Sequence, residues 1–172
     1  MEKTNLIGAI TAIAFFVSVS LVFVFRLLGR PRYGYWLGIF ELLLAIPLIY
    51  LLIKAPSEGR PMLYYIQIGA ILLWLLVELL LDYVFKIEFR QVRWMVITYV
   101  VLFFAGAGGL LGIAANAGIT MKIIAIVLFL VMAVLTGNLA ARQRRQMDAL
   151  RDAQAETATL LELSRKLGAA TE

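Results

Sequence analysis

Three charged side chains, Glu78, Asp82 and Lys86, follow one another at steps of four within the largely apolar residues 74–90. Residues four apart lie on one side of an α-helix, each about 40° further round than the last. A carboxylate inside a membrane-spanning segment is costly, so we expect it to face protein or water instead of lipid. A group in that position can carry a proton or bind a cationic solute.

Other predicted helices supply polar side chains that can meet these acids. Glu41 lies about 9 Å inside the second apolar span, and Arg26 at the end of the first span can reach the same level. Gln67 shares the helix face of Glu78 and can donate hydrogen bonds to the acids. One hypothesis is a proton-carrying or cation-binding cluster, open towards the cytoplasm, formed by Glu41, Glu78, Asp82 and Arg26. The alternative is a polar network that only fixes how the helices align.

The chain contains no cysteine and no histidine. Disulfides, thiol chemistry, histidine-ligated haem and nearly all zinc or copper sites are therefore excluded, and a general base would have to be Asp, Glu, Lys or Tyr. The sequence also has no glycine-rich phosphate loop beside a lysine and no pattern typical of a nucleophile with its base. We therefore predict a protein that is not an enzyme, with no cofactor and no metal site.

Composition and hydropathy indicate a membrane protein. The 172 residues are 63% hydrophobic with a mean hydropathy of +0.92, whereas soluble domains are about 45–50% apolar. A chain this short cannot bury so much apolar surface in one core. Long apolar runs predict an all-α, polytopic bundle of five transmembrane helices. The predicted spans are residues 6–25, 35–53, 62–81, 94–115 and 120–139, followed by a helical tail, residues 140–172.

The second span contains two glycines and a proline with separate consequences. Gly34 and Gly38 share the face of Glu41 at GxxxG spacing, so a neighbouring helix can approach closely where the acid has to be shielded. Pro47 is expected to bend this span and to free a backbone carbonyl.

The second half of the fourth span is crowded with small residues. Ala105, Gly109 and Gly112 share one face, which predicts close packing against another helix. The alternative is a thin helix that leaves room for a ligand or a path for water.

Lysines and arginines are divided unevenly between the two sets of loops that five spans create. One side carries twelve of the sixteen: Arg26, Arg30, Arg32, Lys86, Arg90, Arg93, Arg142, Arg144, Arg145, Arg151, Arg165 and Lys166. The other side carries four: Lys3, Lys54, Arg60 and Lys122. Because cytoplasmic loops are rich in Lys and Arg, we predict an outside N-terminus and a cytoplasmic C-terminus. The net charge of +5 follows the loops, so we interpret it as a topology signal and not as affinity for nucleic acid.

The tail, residues 140–172, is rich in Ala, Gln, Arg, Glu and Leu and has no helix breaker before Gly168. It predicts a cytoplasmic amphipathic helix that continues from the fifth span. Its residues 160–171, LLELSRKLGAAT, resemble the short lead-in helix that precedes GAF-type sensory domains in bacterial signalling proteins. The resemblance implies a signalling-helix stub, or descent from a membrane sensor, in the bacterial inner membrane.

Two functions stay open at this point. The first is a sensory or scaffolding membrane component that acts through residues 140–172, where it would bind a second copy of the chain or another membrane or cytoplasmic protein. The alternative is a small carrier or channel for protons, cations or a small solute that uses Glu41 and Glu78. A water-accessible cavity reaching either acid would favour the carrier, whereas a sealed, salt-bridged core would exclude it.

Overall fold

The computed structural model describes residues 2–85 and 92–169. Within these ranges the chain is helical between short turns and contains no strand. The α-helices are α1 (Glu2–Leu27), α2 (Pro31–Leu43), α3 (Ala45–Lys54), α4 (Met62–Glu78), α5 (Arg93–Ala115) and α6 (Ile119–Ala169). The chain divides into two compact units, Met1–Leu135 and Thr136–Glu172.

Five helical segments of the described ranges are long and apolar enough to cross a membrane: Glu2–Leu27, Arg32–Lys54, Met62–Val84, Trp94–Ala115 and Ile119–Gln154. The predicted all-helical class and the five apolar spans are therefore confirmed. The segment boundaries differ from the predicted ones by a few residues in most cases. The largest difference is at the fifth segment, because α6 continues without a break into the residues predicted as the tail.

The second of these segments is broken at Leu44, between α2 and α3. Pro47 has no N–H, so it cannot bond to the carbonyl of Leu43 four residues earlier. Leu44 N–H bonds to the carbonyl of Glu41 at 3.0 Å, which is a tighter i→i−3 turn than that of an α-helix. The expected bend therefore takes the form of a short break close to Glu41.

The third segment departs from regular α-helix at its end. Leu79–Val84 form a π-helical turn, and Phe85 N–H bonds to the carbonyl of Leu80 at 2.8 Å. The stretch contains neither glycine nor proline, so no local sequence signal predicts this change. Such turns are rare in proteins overall, and those that occur are often found at functional sites.

An aromatic cluster centred on Phe15 joins α1, α4 and α5 in the first unit. The Phe15 ring lies 5.5 Å from Trp74 and 6.3 Å from Phe103, and Trp74 lies 5.2 Å from Phe103. All three side chains are buried. Edge-to-face rings add about 0.5–1.5 kcal/mol per pair beyond the burial of their area. The cluster therefore holds α1, α4 and α5 together in the core of the first unit.

A polar network tethers the start of α1 to the turn between α3 and α4. Arg60 Nη2 donates to Thr4 at 3.1 Å, to Asn5 at 2.5 Å and to Glu58 at 2.7 Å. The Thr4 hydroxyl donates to the Glu58 carboxylate at 2.7 Å. The Arg60 guanidinium also lies 4.8 Å from the centroid of the Tyr64 ring. This Arg60 network (Thr4, Asn5, Glu58 and Arg60) connects two segments that are distant in sequence.

We expect the Arg60 network to weaken in acid. The hydrogen bond from Thr4, together with the Arg60 guanidinium, lowers the pKa of Glu58 below its ordinary value. A lowered folded-state pKa contributes stability above the unfolded value of about 4.3, and this stability is lost as pH falls through the folded pKa. Thermal unfolding in detergent at neutral pH and at about pH 3 measures the loss, which Glu58→Gln should reduce. An equal pH dependence in wild type and Glu58→Gln, with Glu2→Gln as the control acid, would contradict this assignment.

The second unit, described by itself, is helical through Ala169. The side chains that the structure describes between residues 140 and 154 are all exposed. A helix with a solvated surface of this kind has no internal core, so its packing depends on what it meets outside its own unit.

Candidate functional site

A partly open cavity of about 270 Å³ lies where the end of α1, α2 and the end of the α4 segment meet in the first unit. It combines acidic, basic and aromatic side chains with two glycines, and its lining consists of Val22, Arg26, Gly34, Tyr35, Gly38, Glu41, Glu78, Asp82 and Tyr83. The structure thus brings four of the predicted site residues, Glu41, Glu78, Asp82 and Arg26, to one cavity. Their role in binding stays a prediction.

Glu41 is the most deeply placed acid of the cavity, with 4% of its surface exposed. The hydroxyl of Ser18, on α1, donates to its Oε1 at 3.0 Å. Ser18 itself is only 2% exposed. No second hydrogen bond or ion pair joins the Glu41 carboxyl group to the residues that the structure describes. One of its oxygens is therefore available to a donor in the cavity.

Glu78 is 8% exposed and accepts a hydrogen bond from the hydroxyl of Tyr99, on α5. The Tyr99 ring also lies 6.0 Å from the ring of Trp74, one helical turn before Glu78 on α4. The indole Nε1 of Trp74 is buried with no hydrogen-bond partner among the described residues. Glu78 thus accepts its hydrogen bond from a residue of α5, whereas Glu41 accepts its hydrogen bond from a residue of α1.

Sequence reasoning missed both Ser18 and Tyr99. Each is a polar side chain within an apolar span, so its residue type was a usable signal. Which acid each one meets depends on the rotation and axial position of two helices, and no local pattern encodes those quantities.

Arg26 lines the cavity but is itself exposed, and it makes no ion pair with Glu41. Asp82 is half-buried and lies on the π-helical turn. Glu41 therefore faces an open cavity and is not ion-paired with Arg26. A sealed, salt-bridged core, which would exclude a carrier, is not seen around it among the described residues. Lys86, Glu88 and Arg90 lie outside the described residues, as does the side chain of Arg93.

The π-helical turn changes which side chain faces the cavity. In a regular α-helix Tyr83 would lie about 140° round the axis from Glu78. A π turn holds more residues, so this angle becomes smaller and the Tyr83 side chain moves towards the face of Glu78. Its hydroxyl donates to the carbonyl oxygen of Tyr35 at 3.2 Å.

Gln67 does not reach the cavity, although it shares a helix face with Glu78. It lies about 16 Å back along α4, where it packs against the glycines of α5. A Cβ placed on Gly109 would lie 2.6 Å from the Gln67 carbonyl oxygen, and one on Gly112 would collide with its side-chain amide. The packing predicted at Gly109 and Gly112 thus involves Gln67 itself.

Within this chain the Ala105 side chain is exposed, so the packing expected for it stays a prediction. Gly106 takes its place in the contact, where an added Cβ would lie 3.1 Å from the Cα of Ile71. Small residues occupy every position from Ala105 to Gly109, so their spacing alone could not select the contact face. Gly34 and Gly38 both line the cavity.

The acids of the cavity do not form a metal centre in the described part of the chain. No three acidic side chains there converge closely enough to ligate one metal ion. The arrangement offers instead two buried carboxyl groups, a third acid and two tyrosine rings around an open volume. It can accept hydrogen bonds from a donor and offset positive charge.

Compared with models of protein families, with curated proteins and with solved structures, the chain matches none of them. Its function therefore has to be inferred from the chemistry of the cavity.

Proposed function

We propose that this chain is a multi-pass membrane protein that binds small cations in the cavity and serves as a carrier or channel for them. The observation that supports the proposal is a volume of about 270 Å³ that reaches both Glu41 and Glu78. Three of its lining residues are acids and one is basic. Ionisable groups buried within membrane-spanning helices commonly mark a path for protons, ions or solutes.

Burial makes these acids depend on a positive partner. An ionised carboxylate with 4% exposure has lost most of its hydration, which costs several kcal/mol unless a cation or a proton offsets it. Arg26 does not form an ion pair with Glu41, so a solute cation or a proton can neutralise the Glu41 carboxylate instead. A carrier has to release its cation into water, so the partner of the acid has to be exchangeable, as a solute cation is and a fixed arginine is not.

The test of the proposal is cation flux in proteoliposomes. We expect entry of at least one of radioactive sodium, rubidium or methylammonium to exceed that into protein-free liposomes. Protein-mediated flux should also be lost when Glu41 and Glu78 are both replaced by glutamine. The proposal fails if the wild-type protein, correctly folded by circular dichroism, gives no flux and no binding of any of these cations.

We also propose the orientation with the N-terminus outside and the C-terminus in the cytoplasm of a bacterial cell, which puts the cavity near the cytoplasmic face. The uneven division of Lys and Arg supports it. Because the chain has no cysteine, single substitutions give unambiguous labelling sites. An impermeant maleimide should label Ser57→Cys in intact cells and Ala141→Cys only after lysis, and the reverse result would overturn the orientation.

A second candidate function is a sensory or scaffolding role of residues 140–172. The exposed side chains that the structure describes between residues 140 and 154 favour it, because a solvated helix surface can bind a second copy of the chain or another protein. Removal of residues 140–172 should then change the oligomeric state or the recovered partners. If it changes neither, this role is excluded.

A further inference from the structure

Two tyrosine rings lie beside the acids in the lining of the cavity. The rings of Tyr35 and Tyr83 have centroids 5.4 Å apart at an interplanar angle of 40°. The hydrogen bond from the Tyr83 hydroxyl to the Tyr35 carbonyl oxygen connects the π-helical turn to α2. An aromatic face attracts cations electrostatically, and most strongly where water is excluded.

The position of Tyr83 depends on two unusual local features. The π-helical turn moves it towards the face of Glu78. On the opposite side, Gly38 leaves the space that the Tyr83 hydroxyl occupies, because a Cβ on Gly38 would collide with that oxygen. Both features place the same ring at the cavity. A π-helical turn is frequently found at a functional site.

The buried Glu41 carboxyl group supplies an unfilled hydrogen-bond acceptor in the same lining. Ser18 is its one hydrogen-bond donor among the described residues, and it bonds to Oε1. A carboxylate accepts up to about four hydrogen bonds. A buried polar group with unmet capacity beside an open volume indicates a ligand that carries N–H or O–H donors.

The size of the cavity and the arrangement of its oxygen atoms favour an organic cation over a bare metal ion. Its volume of about 270 Å³ is just below the range of about 300–1,000 Å³ typical of small-molecule sites. A metal ion would need several oxygens converging at 2–3 Å, and no three acidic side chains of the described ranges converge in this way. Aromatic rings contribute little to the ligation of a hard metal ion.

We propose that the cavity binds a small alkylammonium ion, an inference that rests on the cation-binding function proposed above. The ammonium N–H groups donate to Glu41 and the charge is offset by Glu41 and Glu78. The Tyr83 ring packs against the cationic end and its adjoining methylene groups. The combination of a charged acceptor with an aromatic face distinguishes such a ligand from sodium, which has no donor, and from tetramethylammonium, which has no N–H.

Isothermal titration calorimetry on the purified full-length protein in nanodiscs tests this assignment. The probes are propylammonium, tetramethylammonium and sodium chloride at constant ionic strength. We expect propylammonium to bind most tightly and Tyr83→Leu to weaken its binding about five- to tenfold. Tyr83→Phe keeps the ring and should retain binding, whereas Trp36→Leu, at an exposed aromatic residue outside the lining, is the control.

The titrations separate the alkylammonium assignment from the proposed cation-binding function. Sodium binding as tight as that of propylammonium, or equal propylammonium binding by the wild type and Tyr83→Leu, would overturn the alkylammonium assignment while leaving cation binding intact. If no probe binds the wild type, the proposed function fails together with it. If Tyr83→Leu does not fold, the order of the three probes on the wild type still tests the assignment.

Discussion

Gly109→Ala is expected to lower the free energy of unfolding by about 1–3 kcal/mol. The new Cβ would lie 2.6 Å from the carbonyl oxygen and 3.1 Å from the Cα of Gln67. Both are backbone atoms, so no side-chain rotation relieves the contact and α4 and α5 have to move apart. The contact between these two helices is the most extensive in the first unit. Separating them therefore disturbs the core as well as the local contact.

Gly108→Ala is the matched control for this prediction. A Cβ at that position meets no atom within 4 Å. Alanine is also favoured over glycine in a helix by about 1 kcal/mol, so we expect Gly108→Ala to be neutral or slightly stabilising. Unfolding by SDS in mixed micelles, followed by circular dichroism, compares the two variants. Equal midpoints would contradict the close approach of α4 and α5 at Gly109.

Glu41→Gln should weaken alkylammonium binding by about thirtyfold or more, equivalent to about 2 kcal/mol or more. The substitution keeps the size of the side chain and one carbonyl oxygen for the Ser18 hydroxyl. It removes the negative charge from the most buried acid of the cavity. Loss of binding with unchanged folding would therefore report on charge and not on packing.

Glu78→Gln should have a comparable effect on binding, because Glu78 is the second buried acid of the lining. Tyr99→Phe separates orientation from charge, since it removes the hydroxyl that donates to Glu78 and keeps the carboxylate. We expect a smaller loss for Tyr99→Phe than for Glu78→Gln. Glu2→Gln, at an exposed acid remote from the cavity, is the control for both. If Glu41→Gln and Glu78→Gln both bind propylammonium as the wild type does, the cavity is not the site.

Local sequence patterns predicted the large-scale features of this chain. The five apolar segments follow from hydropathy, because crossing a bilayer requires about 20 consecutive apolar residues whatever the helices pack against. The acids Glu41 and Glu78 stood out for the same reason, since a charge in such a segment is costly wherever the helix lies. A helix break near Pro47 follows from the absence of one backbone N–H.

Tertiary structure alone decided which polar groups meet. Ser18 with Glu41 and Tyr99 with Glu78 are contacts between different helices, so they depend on relative rotation and axial position. The displacement of Gln67 from the acid cluster has the same cause, because one helix face extends over several turns and reaches different neighbours along its length.

The acidic stripe of residues 74–90 illustrates both levels. Its amino-acid types and its spacing of four established that Glu78 and Asp82 share one side of a helix. The π-helical turn that brings Tyr83 to the cavity could not be inferred, because residues 79–84 contain no local signal for it. Hydropathy and helical period are properties of one chain segment, and they determined the spans and the candidate acids. The cavity exists only where three segments meet, and its lining was decided by how they pack.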